Sequence, residues 1–388
     1  MQVAVTKKLF PWETLEDNPS LQTVDAFLAG LPDGKLLAGL QEVPELGRHA
    51  AGDATGLSAR PGRTKKGNPD KLPEPAGGRK EYKDGEGKVT KVIEWFGYKL
   101  HLVVDVPNEV ALAYRVTAPS AGDNEVLPET LKEALENLRS EEPAAPPPDA
   151  PQPPARGPKG TQPPAPCRIE TLAFDMAADD EAVHELLGLR GIKAVIENRS
   201  LWKSEFERML PGHDGRSNVV YDEAGTLYCY DKASDPPVRH RMAYIGHEPS
   251  RGTVKYRCPA MHGQWACPSH ERCNAGKKYG KTVRVKCELD LRRFPPIPRA
   301  TKQFERLYKG RTAVERVNGR LKVFWGADDG NVTGPERFHA HIAVVMLVHI
   351  GLATLLARAS GRKGTLGTMR LTTVAEALHG RPPASRGR

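Results

Sequence analysis

Residues 308–322 read YKGRTAVERVNGRLK, and Tyr308, Arg311, Glu315 and Lys322 stand at offsets 0, 3, 7 and 14. An α-helix advances about 100° per residue, so these offsets fall within an arc of roughly 60°. The pattern predicts one helix over 301–325 with a phenol, a guanidinium, a carboxylate and an ammonium on a single face. Such a face packs poorly. It is suited to holding a divalent metal ion against a phosphate.

Working toward the N-terminus, residues 201–300 read as β-rich. VVYDEAGTLYCYDKA has the form of a hairpin, and MAYIGHEP, GTVKYRCPA and TVRVKCELDL are short strands. Before them, RIETLAFD is a strand ending in Asp175, followed by a helix (DDEAVHELLGLRG) and a strand (IKAVIEN), a βαβ pattern. Residues 141–166 are Pro-rich and are expected to be a disordered surface insertion within one domain. In 91–106, Tyr98, Leu100, Leu102, Val104 and Val106 alternate with Lys99, His101 and Asp105, which predicts a strand half buried or better. Pro107-Asn108-Glu109 would turn it into a second strand at 110–118, and Asp123 is placed to cap the helix that follows. HAAGDATGL (49–57) sets Asp53 in a first strand, and the basic, Gly/Pro-rich stretch after it reads as a mobile loop able to follow a phosphate backbone.

The ends carry less. Residues 1–48 predict modest helices near 20–29 and 33–40, too little for a helix-turn-helix unit, and are read as a remnant or lead-in. Pro335 to Ala359 predicts the last long helix, and 361–388 a basic tail. The most apolar run, 342–357, is short for a membrane span and is interrupted by His349, so a buried helix is expected and no membrane partner. No stretch at the N-terminus has the apolar core of a signal peptide, which argues against secretion and favours a cytoplasmic protein; nucleoid association would follow only from a DNA partner. Lys and Arg total 57 against 48 Asp and Glu, a net +9 with a pI near 9.2, which favours a polyanionic partner.

Three acidic residues stand out by position: Asp53, Asp175 and Glu315. Asp123 competes with Asp175 for the second place, but capping gives Asp123 a structural role. Three carboxylates converging from distant sequence would repel one another unless divalent cations sat among them. Strand, hairpin, helix, strand, helix and strand, with a helix returning after an insertion, is the order of a ribonuclease-H-like domain. The expected fold is therefore α/β, a mixed sheet flanked by helices, interrupted by the Pro-rich loop and a β-rich Cys-containing insertion. Its parts would be 49–200 and 301–360 for the catalytic domain and 201–300 for the insertion.

The Y-x2-R-x3-E-x6-K spacing resembles the signature of DDE-type bacterial insertion-sequence transposases, in the branch with a β-rich insertion before the catalytic Glu. AAGDATGL is similar to the family's first-Asp strand, EWFGYKLHLVVD to its Gly-Tyr-Lys-x-His strand, and APSAGDNEVLPETL to the start of its first helix. TLAFDMAADDEAVHELLGLRGIKAVIENR resembles its second-Asp region, although Met176-Ala177-Ala178 replaces the usual Gly-Tyr after the Asp. The resemblance implies that Asp53, Asp175 and Glu315 bind two Mg²⁺, with Mn²⁺ as a substitute. It implies that Tyr308, Arg311 and Lys322 contact DNA. The partners would be double-stranded terminal inverted repeats and target DNA, met by a homo-oligomeric synaptic complex. A catalytically decayed DNA-binding remnant and a general ribonuclease-H-like nuclease stay open as alternatives.

Five of the six cysteines lie between 229 and 287. Cys258-x8-Cys267-x5-Cys273, with Cys229 and Cys287 flanking, lacks the tight pairs of strong zinc motifs. Cys229, Cys258, Cys267 and Cys273 are candidate ligands for a structural Zn²⁺, with reduced buried thiols as the rival reading. Zinc would help an insertion with few large apolar residues to fold.

Overall fold

The structure is a computed structural model that describes residues 45–61, 72–84, 88–138, 169–203, 206–211, 218–231, 234–329 and 332–360. The helices expected before residue 45, the Pro-rich 141–166 and the tail from 361 lie outside the described residues. The chain is a mixed α/β protein that divides into two compact units, Met1–Ile169 with Thr312–Arg388, and Glu170–Arg311. None of the described helices is long and apolar enough to cross a membrane.

In the first unit, β3 (Val89–Asp105) is the organising strand. It pairs antiparallel with β1 (His49–Ser58), β2 (Ala76–Lys83) and β4 (Val110–Thr117). The strand has two halves. Residues 89–94 are exposed, whereas from Tyr98 on both faces are covered, so Val103 and Asp105 are as buried as Leu100 and Leu102. Gly97 marks the change: a Cβ there would lie 2.1 Å from the Leu57 carbonyl oxygen. Residues 76–83, expected to be loop, instead form β2 and pair with Val89–Gly97. The exposed half of β3 needs a backbone partner, and AGGRKEYK can supply one without an apolar side to bury.

The β3–β4 turn is built on two buried acids. Asp105 accepts hydrogen bonds from the Gly47 and Asn108 backbone N–H groups (2.7 and 2.8 Å) and from Asn108 Nδ2 (2.7 Å). Glu109, at φ 54°, turns its carboxylate toward two arginines described below. The helix α1 (Asp123–Asn137) packs on β3 and β4. Its N-cap is Gly122, not Asp123 as expected, and the Glu125 side chain reaches back to the Gly122 N–H. Asp123 is drawn away by the Lys99 ammonium, 2.6 Å from it. As the first helical residue it still favours the positive end of the helix dipole.

The helices α6 (Thr312–Val323) and α7 (Pro335–Ser360) complete this unit. Tyr98 stacks on Phe338 of α7 at 4.2 Å. His349, fully buried on α7, accepts a hydrogen bond at Nε2 from the Ala111 N–H at 3.2 Å, so its proton sits on Nδ1, which has no partner among the described residues. Burial first, and then Arg320, push its pKa down to about 3. Burial likewise lowers His101 to about 4, with Asp123 opposing and Lys99 adding.

Both folded pKa values are below the ordinary one, so the unfolded chain takes up protons first. The stability this gives is complete above the unfolded pKa and is lost as pH falls from about 6.5 toward 4 and 3. Each histidine contributes a slope approaching about 1.4 kcal/mol per pH unit. Urea unfolding of the first unit is expected to lose roughly 2–4 kcal/mol between pH 7 and pH 5, and about half that in His349→Gln. An equal pH dependence in the variant would show that His349 is not neutral in the fold.

The second unit begins with a βαβ segment. Strands β5 (Thr171–Phe174) and β6 (Lys193–Ile196) run parallel, joined through α2 (Glu181–Leu189), which packs on β6. Asp179, with no exposed side-chain surface, accepts from Arg299 Nη2 (2.7 Å), Arg292 Nε (2.8 Å) and the Arg199 N–H (2.8 Å), and its Oδ1 lies 3.1 Å from His184 Nε2. Two antiparallel sheets follow. Strands β7 (Arg208–Met209), β8 (Val219–Tyr221), β9 (Leu227–Asp231) and β10 (Val238–Arg241) lie in the order β10-β9-β8-β7. Strands β11 (Ala243–Glu248), β12 (Thr253–Arg257) and β13 (Thr282–Lys286) form the other.

These two sheets share an apolar core that includes Leu227, Met242, Val254, Tyr256, Val285 and Phe294. The expectation of few large apolar residues is therefore corrected: alternation along short strands hides a core that no single strand displays. Cys287 belongs to that core. Two short helices, α3 (Pro259–Gly263) and α4 (His270–Asn274), lie between β12 and β13, and α5 (Lys302–Tyr308) packs on β5 and β6.

Candidate active site

The single helix expected over 301–325 is three pieces: α5 ends at Tyr308, a 3-10 turn spans Lys309–Arg311, and α6 starts at Thr312. Gly310 sits in the middle of the 3-10 turn, where its poor helix propensity favours a change of winding. The expected single face does not extend across this break. Glu315 and Lys322, seven residues or about two turns apart, still share one face of α6.

In the first unit, Asp53 is half buried on β1, opposite Leu102 of β3. Helix α6 packs on β1 and β3 and buries Ala313, Val314, Val317, Asn318 and Leu321. That leaves Glu315 on the exposed side of the first turn, where a carboxylate suits the helix dipole. The helix is anchored by Glu109, which accepts from Arg316 Nε and Arg320 Nη2 at 2.5 Å each. Lys322 Nζ is 3.8 Å from Asp328 Oδ2, and Asp328 Oδ1 accepts from the Ser58 N–H at the end of β1 (2.6 Å). Burial lowers the Lys322 pKa, with Asp328 opposing and Lys80 adding.

In the second unit, Asp175 follows β5 and accepts a hydrogen bond from the Ala177 N–H at 2.9 Å, capping the 3-10 turn Met176–Ala178. It has the capping role that the sequence argument gave to Asp123. Tyr308 stacks on Phe304 (5.7 Å between rings), and the Arg311 guanidinium lies 5.8 Å from the Tyr308 ring. Burial pushes the Tyr308 hydroxyl up to about 12; Glu197 adds, Arg311 opposes, and Asp175 adds a smaller amount. Asp175, Glu197, Tyr308 and Arg311 therefore share one neighbourhood. Glu197 was missed in the sequence. Its signal was register: Phe174 pairs with Ile196, so Asp175 and Glu197 stand at matching C-terminal ends of parallel strands, where open α/β sheets place their sites.

The remaining residues divide by role. His101 contacts Thr117 Oγ1 (2.9 Å), His341 contacts the Gly326 carbonyl (3.0 Å), and His339 packs edge-on to Tyr98. Among the described residues, no three His, Cys, Asp or Glu side chains stand at metal-holding spacing. The partly accessible carboxylates Asp53, Asp175 and Glu315 are hard oxygen donors of the kind Mg²⁺ takes. The described cysteines are free, and Cys229, Cys258, Cys267 and Cys273 line one small cavity in the second unit. No family model matches the chain, and a search of curated proteins finds no match.

Proposed function

We propose that this chain is a transposase of the DDE type, which cleaves DNA at the ends of a mobile element and joins the freed 3′-hydroxyl to target DNA. The observation that carries the reading is the placing of Glu315 on the exposed side of α6, a helix packed against the strand that bears Asp53. Asp53 and Glu315 are the carboxylates of the first unit that would hold Mg²⁺, and the resemblance gives Asp175 the same role. When bound, such ions supply Lewis-acid stabilisation of the phosphate and a nucleophile at neutral pH.

The protein's own part is binding and orientation. Arg311 can take a backbone phosphate bidentately, and the Tyr308 hydroxyl, held protonated by burial and by its hydrogen bond to Glu197, would donate to a phosphate by exchanging that partner. Lys322 would meet a phosphate by exchanging its Asp328 partner. The Glu109 clamp on Arg316 and Arg320 keeps α6 from turning, so Glu315 is presented by a fixed helix.

The test uses the purified full chain, labelled DNA spanning the sequences on either side of its reading frame, where terminal inverted repeats are expected, and a Mg²⁺ titration. End-specific nicking that needs Mg²⁺ or Mn²⁺ and leaves a 3′-hydroxyl is the expected result. Binding without nicking would support the decayed DNA-binding reading, and nicking without end specificity would support the general nuclease.

A further inference from the structure

The unit Glu170–Arg311 contains a cavity that the proposed DNA chemistry does not use. Its volume is about 20 Å³, room for one water-sized occupant. Cys229, Cys258, Cys267 and Cys273 all line it. They arrive from different elements: Cys229 from β9, Cys258 from the residue after β12, Cys267 from the turn before α4, and Cys273 from α4 itself. We propose that this cavity is a tetrathiolate zinc site that ties β9 to β12 and to the segment carrying α3 and α4.

Convergence is the first support. Reduced cysteines that serve only as small apolar residues pack singly into a core, as Cys287 does; Cys229 also borders that core, but it shares the cavity with three further cysteines. Four cysteines lining one ion-sized space can offer the soft, tetrahedral donor set of zinc or iron; zinc is the redox-inert choice for a closed structural site.

The second support is the arrangement of N–H donors around the sulfurs. Asn218 Nδ2 is 3.0 Å from Cys229 Sγ, and Asn274 Nδ2 is 3.6 Å from Cys258 Sγ. The Ser269 backbone N–H donates to Cys267. A thiol sulfur is a weak acceptor, whereas a metal-bound thiolate is a good one, so amides aimed at sulfur are the outer contacts that such a site uses. Asn274 is itself buried, and its Oδ1 accepts from the Lys281 N–H at 2.6 Å, which fixes the orientation of the amide. Lys281 Nζ also reaches Asn218 Oδ1 at 3.2 Å, bringing one positive charge toward a cluster that would carry net negative charge.

Among the described residues no three of these side chains stand at metal-holding spacing, so entry of zinc requires the thiols to close in to Zn–S distances of about 2.3 Å. Each ligating thiol gives its proton to solvent, and no electron is transferred. The long spacings between the cysteines explain why the sequence pattern is weak. Two five-residue helices and their turns, rather than a tight knuckle, return the chain to the cavity. His240, opposite Cys229 in the β9–β10 pairing, also lines the cavity, but its ring packs against Trp265 at 4.6 Å.

The full chain, purified under reducing conditions from zinc-supplemented cells, is expected to carry about one zinc per chain by mass-spectrometric metal analysis. Replacing the zinc with Co²⁺ should give intense sulfur-to-cobalt charge-transfer bands and the strong visible bands of a tetrahedral ion. Cys287→Ser should keep the metal, and the Cys267→Ser/Cys273→Ser double variant should lose it. Because that double variant can fail to fold, Cys273→His provides a second measurement: cobalt should be retained with charge-transfer intensity about one quarter lower. The site is overturned if the wild-type chain takes up no zinc when it is supplied. Zinc kept in the double variant, or lost in His240→Ala while Cys229→Ser keeps it, would overturn the four-cysteine assignment.

Discussion

Glu315→Gln is expected to lower Mg²⁺-dependent strand cleavage by at least about 10³-fold, equivalent to about 4 kcal/mol of transition-state stabilisation. The substitution is conservative in shape and removes only the charge. Glu315 lies on the exposed side of α6, while Ala313, Val314 and Val317 carry the packing, so stability should change by no more than about 0.5 kcal/mol. DNA affinity should stay within a few-fold, because the phosphate contacts are assigned to Tyr308, Arg311 and Lys322. Asp53→Asn should give the same kinetic loss with a larger stability cost, since Asp53 is half buried within a paired strand. The measurement is single-turnover nicking of labelled ends, with DNA binding followed by gel shift in Ca²⁺. Cleavage within about tenfold of wild type would remove Glu315 from the reacting centre.

The elements easiest to read in the sequence were those whose period is set by burial. Alternation through Tyr98–Val104 located β3, and the apolar TLAF and KAVI runs located the parallel pair β5 and β6. Features that depend on a competing partner were hidden. Asp123 has the chemistry of a cap, but the Lys99 ammonium claims it; Asp175 ends an apolar strand, where a cap is less expected, yet it caps the next turn. The helix break at Lys309–Arg311 has only Gly310 to announce it, and one glycine costs a helix about 1 kcal/mol, too little to decide the matter locally. β2 was hidden because its strand character comes from the exposed half of β3 that it pairs with.

The candidate site was legible as residue types and spacing, and less so as geometry. Glu315 and Lys322 share α6, while Tyr308 and Arg311 share a neighbourhood with Asp175 and Glu197, a carboxylate with no motif of its own. Asp328, which holds both Lys322 and the end of β1, had no sequence signal either, because it lies beyond the helix in an irregular segment. The cysteines followed the same pattern: their spacing was unremarkable, and only the fold brings four of them to one cavity.

Asp179→Asn is expected to destabilise the second unit by roughly 3–5 kcal/mol, the range for breaking a buried ion pair from one side. The carboxylate is fully buried and is the shared acceptor for Arg299 and Arg292, whose guanidinium groups would otherwise face each other in a low-dielectric setting. Arg299 also donates to the Ile196 carbonyl at 2.8 Å, so its displacement would loosen the end of β6 beside Glu197. Burial alone would raise the Asp179 pKa; the His184 contact, Arg299, the Arg199 N–H and Arg292 together outweigh it and hold the pKa at about 2. A folded pKa below the unfolded one gives stability that is complete above about pH 4 and is lost as pH falls toward 2. The gap between wild type and Asp179→Asn should therefore be constant from pH 8 to about pH 5 and close in stronger acid. Urea unfolding of both proteins, followed by Trp202 fluorescence in the second unit, measures it. A gap below about 1 kcal/mol at pH 7 would mean that the arginines find other acceptors at little cost, and that Asp179 does not organise this unit.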